Sequence, residues 1–122
     1  MSFTLTPKLT LTGTAAHFGD ELALSVQDTL TVGPPIKGIS KESVLHTGAT
    51  TILDATNTVT TYVYLKNTDT TNHVKIYTGN DELFGIVWPS QFSFFSIIDG
   101  EGLKLQANNA TCIVEYAYYT KA

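Results

Sequence analysis

The chain has 122 residues, 11 acidic against 7 basic side chains for a net charge of −4, and one cysteine. That length is one domain's worth and is enough for a hydrophobic core, while a lone Cys112 excludes an intrachain disulfide and a cysteine-rich metal site. All the basic residues are lysine; an acidic chain without arginine argues against nucleic acid as a partner, because arginine is the side chain suited to bidentate phosphate and base recognition.

No apolar run approaches the ~20 residues of a membrane-spanning helix, so no membrane partner is expected. The start, Met1-Ser2-Phe3-Thr4-Leu5-Thr6-Pro7-Lys8, has neither the basic opening nor the apolar centre of a signal peptide. The expectation is a product made in the cytoplasm. Threonine is abundant, with 20 residues interleaved among apolar ones. Its β-branch favours strands, and its hydroxyl suits a half-wet face.

Taken in order, residues 2 to 12 alternate, with Phe3, Leu5, Leu9 and Leu11 opposed to Thr4, Thr6, Lys8, Thr10 and Thr12. Period two predicts a strand with one buried face. Pro7 lacks a donor, which predicts an edge strand or a break there. Ala15 to Gly19 reads as a connection. Residues 20 to 32 alternate again through Leu22, Leu24, Val26, Leu30 and Val32, with Asp28 in the apolar register as a bulge or bend. Gly33-Pro34-Pro35 is expected to stop this strand, leaving Ile36 to Lys41 as a loop. Val44-Leu45-His46 and Thr51-Ile52-Leu53 read as short strands, and Asp54 to Asn57 as a turn.

Thr58 to Asn67 is the strongest strand. It carries Val59, Val63 and Leu65 in one register and Tyr62 and Tyr64 in the other. A strand apolar on both faces is central or lies at an interface; here Val63 and Leu65 are expected toward the core and the tyrosines toward whatever covers them. Asn67 to Asn72 reads as a hairpin turn of residues that bond their own backbone. Strands follow at His73 to Tyr77, Leu83 to Trp88 with Gly85 permitting a bulge, Gln91 to Ile98, Leu103 to Ala107 and Thr111 to Thr120. Eight to ten short strands at this spacing, with no helix, predict an all-β fold: an antiparallel two-sheet β-sandwich of jelly-roll type. The chain reads as a single domain over residues 1–122, with 1–33 as edge strands or an arm available to a neighbouring subunit.

The chemistry-bearing residues do not form motifs. His17, His46 and His73 are scattered, and a metal needs convergent ligands. Asp81-Glu82 and Asp99-Gly100-Glu101 lack the alternating oxygen ligands of a calcium loop and read as turns. Cys112 alternates with Val114 and Tyr116 and reads as a small buried hydrophobe with no base to activate it. Ser90 and Ser93 occupy no nucleophile elbow, and whether two carboxylates meet is for the fold to decide. No catalytic residue, metal or cofactor is assigned. The aromatic residues are the better lead, since half-buried aromatics suit protein interfaces or a sugar platform, although they also serve as ordinary lining of a second sheet.

One resemblance rests on the second half of the chain. It is carried by Tyr64-Leu65-Lys66-Asn67-Thr68-Asp69, then Val74-Lys75-Ile76, then Trp88-Pro89-Ser90-Gln91-Phe92-Ser93-Phe94-Phe95, and finally Leu103 to Ala107 and Val114-Glu115-Tyr116. This order resembles small β-sandwich structural proteins of tailed phages, particularly those infecting cyanobacteria. Ser90 stands where that pattern has glycine. The resemblance implies a non-enzymatic virion component and transfers no catalytic residues. The expected function is a head decoration or cement protein, a homo-oligomer that binds other virion proteins (capsid or neck and tail subunits); the alternative is a carbohydrate- or receptor-binding module of a tail, fibre or neck. The contact residues expected on this reading are Phe3, Leu5, Tyr62, Tyr64, Trp88, Tyr116 and Tyr118.

Overall fold

The computed structural model describes residues 2–13, 22–54, 60–97 and 101–122, with the side chain of Leu22 left aside. The connection at Ala15 to Gly19, His17, Ala55 to Asn57, Val59 and Asp99-Gly100 therefore lie outside the described residues. Among those described, every regular element is a strand: β1 (Phe3–Leu5), β2 (Lys8–Gly13), β3 (Leu22–Gln27), β4 (Leu30–Val44), β5 (Thr50–Leu53), β6 (Thr61–Asn67), β7 (Val74–Thr78), β8 (Leu83–Val87), β9 (Phe92–Ile97), β10 (Leu103–Ala107) and β11 (Cys112–Lys121).

They form an antiparallel β-sandwich. One sheet has the order β1-β4-β11-β6-β9, the other β5-β10-β7-β8, and β2 and β3 pair only with each other. The core lies between the two large sheets, where Val44, Val63, Leu65, Val74, Ile76, Val87, Leu103, Leu105, Ala107, Cys112, Val114 and Tyr116 pack together. All but Val44 come from residues 61–122, and burying each Leu or Val there stabilises by about 1.5–3 kcal/mol. The alternation expected of β6 is met: Thr61, Val63, Leu65 and Asn67 are buried, and Tyr62 and Tyr64 are turned to the outer face.

Four expectations are corrected. First, Gly33-Pro34-Pro35 does not stop a strand, and Ile36 to Lys41 is not a loop: β4 runs through both. The register explains why. Tyr119 pairs with Ile36 and the next residue, Thr120, with Gly33, so neither proline faces a ladder position that needs its missing N–H. The Thr120 hydroxyl donates to the Pro35 carbonyl at 2.7 Å, closing the gap. Second, Val44 ends β4 and is not part of a separate strand; the chain then crosses to β5 in the opposite sheet.

Third, Asn67 to Asn72 is no hairpin turn, because β6 and β7 belong to different sheets. It is an arch held by Asn67, whose buried amide donates to the carbonyls of Asn72 at 2.8 Å and Val87 at 3.2 Å and accepts from the Asp69 N–H at 3.0 Å. Asp69 in turn accepts the N–H groups of Thr71 and Asn72. Trp88-Pro89-Ser90-Gln91 leads from β8 to β9, closed by the Gln91 N–H on the Trp88 carbonyl at 3.1 Å. Ser90 has φ 63°, so a serine does what a glycine normally does at the third position of a type II turn.

Fourth, the apolar face of the first strands is not buried. The chain breaks at Pro7, as its missing donor requires, and β1 becomes the edge of the five-stranded sheet. Beyond it, β2 and β3 form a separate ribbon in which Leu9 faces Val26 and Leu11 faces Leu24 on one side, and Thr10 faces Ser25 on the other. All four apolar side chains remain exposed. At Asp28 the chain turns out of the ribbon, its N–H on the Pro7 carbonyl, and enters the sandwich at Leu30. The boundary between arm and sandwich falls there and not at Gly33, since Val32 and Gly33 are already buried. Splitting at Pro7 and Asp28 also raises the described strands to eleven.

Candidate functional site

The outer face of the five-stranded sheet is built by pairing. Residues directly opposite across neighbouring strands share a face. Phe94 of β9 stands beside Tyr64 of β6, and Tyr64 beside Ala117 of β11. The next row joins Ser96, Tyr62 and Tyr119; the row on the other side joins Phe92, Lys66 and Glu115, and Glu115 continues to Lys41 of β4. The result is an aromatic field bordered by one line of charges. Tyr64 ties the two together, its hydroxyl donating to Glu115 Oε1 at 2.9 Å. Burial, and then that hydrogen bond, push the Tyr64 phenol above its ordinary value, so it remains a donor through the neutral range.

The ribbon turns this field into a groove. Leu5, Pro7, Leu9 and Val26 form one wall, while Ile39, Tyr64, Phe92, Phe94, Ala117 and Tyr119 form the other, around a space of about 680 Å³. Lys8, Gln27 and Asp28 supply its polar rim. Much of the apolar lining is open to water: Ile39 is 69% and Phe92 61% exposed.

Of the residues expected at a contact surface, Leu5 and Tyr64 meet in this groove. Tyr62 lies one row away on the same face. Phe3 is exposed on the edge strand β1. Trp88 is exposed at the end of β8, in the other sheet, with its ring edge-on to His73 at 5.2 Å. Tyr116 is buried in the core and Tyr118 packs against it, so both point away from the open face. The parity of β11 decides this: Val114, Tyr116 and Tyr118 share the inner side, and Glu115, Ala117 and Tyr119 the outer. Phe92, Phe94, Ile39 and Tyr119 are not among the expected contact residues, although Tyr119 belongs to the aromatic set that makes the lead. The signal for β9 was in the sequence, because Phe92 and Phe94 fall in one register and Phe95 and Ile97 in the other. The signal for Ile39 was hidden by reading Ile36 to Lys41 as a loop.

A second depression of about 350 Å³ opens beside β8 and β9. Glu82 and Glu101 line it with Phe84 and Phe95, whose rings meet at 5.1 Å. Asp81 is drawn away into an ion pair with Lys104 at 3.0 Å. Among the described residues no group of three His, Cys, Asp or Glu side chains converges as metal ligands would. Cys112 is buried, and burial pushes its thiol above the ordinary value, which disfavours the reactive thiolate. In comparisons with known proteins, no family model, no curated protein and no solved structure matches this chain.

Proposed function

We propose that this protein is a non-enzymatic structural component of a phage virion, a head decoration or cement protein that attaches to neighbouring virion subunits through its aromatic outer face. The observation that carries the reading is the field of Tyr64, Phe92, Phe94, Ile39 and Tyr119, left open on a sandwich whose core is complete without it. Contiguous apolar surface of this kind marks an interaction site on a soluble domain. Two further points support it. The order β4-β11-β6-β9 facing β5-β10-β7-β8 is that of two interlocked Greek keys, the jelly-roll arrangement frequent among viral capsid and lectin domains. The phage-like segments of the second half also build structure here, with Asn67 to Asp69 forming the arch between the sheets.

On this reading the protein is synthesised in the host cytoplasm and resides in the virion. It works by burying surface, without cofactor, nucleic acid or membrane. The test is co-sedimentation of the purified protein with heads that lack it. Binding that is lost in Phe92→Ser/Phe94→Ser supports the proposal; protein that never sediments with heads overturns it.

One observation favours a second reading, a carbohydrate- or receptor-binding module of a tail or fibre. The groove sets aromatic rings beside Gln27, Asp28 and Lys8, and apolar platforms with a few polar groups are how sugars are held. A glycan array with hits that vanish in Phe94→Ala would transfer the groove to that role.

A further inference from the structure

We infer that the occupant of the aromatic face is the β2–β3 ribbon of a second copy of this chain, each copy laying its arm over its neighbour's sheet. The inference rests on reading that face as a docking surface and deepens it: the neighbouring virion subunit seated there is another copy of this chain.

A two-stranded ribbon alone in water is marginal at best and needs a sheet or helix beneath it. Among the described residues β2 and β3 pair with nothing but each other. Leu9 and Val26 reach the groove wall at the root, but Leu11 and Leu24, farther along, lie outside the groove and are exposed. The residues of β2 and β3 beyond Lys8 carry no charge. Natural edges that must stay unpaired are protected by lysine, proline or inward charges; these strands are left without such protection, so two copies meet there without like-charge repulsion despite the net charge of −4.

Leu9, Leu11, Leu24 and Val26 on the arm, with Ile39, Phe92 and Phe94 on the face, together leave on the order of 700 Å² open, close to the ~800 Å² that each partner contributes to a standard interface. Both halves are on one chain and are present in equal number. Docking in which each copy gives an arm and receives one covers both at once, and a two-fold arrangement closes the assembly. A foreign partner seated in the groove would leave Leu11 and Leu24 bare.

The experiment is sedimentation of the full chain across a wide concentration range, with two double variants. Leu11→Asp/Leu24→Asp removes the arm's apolar side, and Phe92→Ser/Phe94→Ser removes the face. The parent chain is expected to self-associate, and each double variant to do so roughly a hundredfold more weakly while keeping the near-ultraviolet signal of a packed core. Mixing the two variants is expected to restore association in part, because each supplies the half that the other lacks. A parent chain that is monomeric at every concentration overturns the inference, as does an oligomer indifferent to the arm variant or a mixture that stays monomeric. The outcomes separate from those for the virion role: a monomer that binds heads defeats only the arm exchange, and an arm-exchanged oligomer that ignores heads defeats only the virion role.

Discussion

Strand β2 contains Lys8-Leu9-Thr10-Leu11-Thr12 and strand β10 is Leu103-Lys104-Leu105-Gln106-Ala107, two stretches with nearly the same alternation. Leu9 and Leu11 are 40% and 43% exposed, whereas Leu103 and Leu105 are 2% and 0%. Local pattern does not separate them. β10 lies between β5 and β7 and has the inner face of the other sheet across from it. β2 has one neighbour in the plane, and only an open groove lies between its root and the outer face of the five-stranded sheet. An alternating strand specifies that one side wants cover; it does not specify that the same chain supplies it.

The comparison can be broken most directly by truncation. Leu105→Ala is expected to cost about 2–5 kcal/mol in urea unfolding, the range for a large-to-small change in a closed core. A cost below ~1 kcal/mol would mean that the two sheets are not packed as described. Asn67→Ala tests the arch that holds the sheets together. It removes the bonds that Asn67 makes to the Val87 and Asn72 carbonyls and to the Asp69 N–H, and about 1–3 kcal/mol should be lost.

Leu11→Ala is the counterpart of Leu105→Ala. At concentrations where the chain is monomeric, it should shift unfolding by no more than about 0.5 kcal/mol. A larger loss there would show the arm to be packed against its own sandwich.

The smallest effect concerns pH. Hydrogen bonds from the backbone of Asn72 and then Thr71 hold the Asp69 carboxyl below its ordinary value. A carboxylate depressed in the folded state adds stability that is fully present above the unfolded value and is lost as pH falls through the folded one. Asp69→Asn should therefore flatten the acid limb of the stability profile by lowering stability in the neutral region toward its acid value, with little change at acid pH. An unaltered acid limb would remove Asp69 from the arch.

Much of the candidate site was readable from parity alone. Tyr62 and Tyr64 alternate with Val63 and Leu65, so once one set was core the other had to be surface. Phe92 and Phe94 were legible in the same way. Tyr116 and Tyr118 were not, because the last strand carries Tyr116, Tyr118 and Tyr119 across both parities, and only its pairing with β6 assigns the faces. Ile39 was lost to the assumption that two prolines end a strand. They do so only when both would occupy ladder positions, and the register places them in a bulge.

What the amino-acid sequence determined by itself is the all-β class, an edge strand or a break at Pro7, the backbone-bonding turn chemistry of Asn67 to Asn72, and the presence of two apolar sides on the strand ending at Asn67. These follow from side-chain shape and hydrogen-bonding capacity within a few residues. What only the tertiary structure decided is which strands share a sheet, that Asn67 to Asn72 bridges two sheets, and that the ribbon's leucines are left open while those of β10 are closed. Burial is a property of what lies across the gap, and that partner is remote in the chain or, for the arm on the inference drawn above, on another copy.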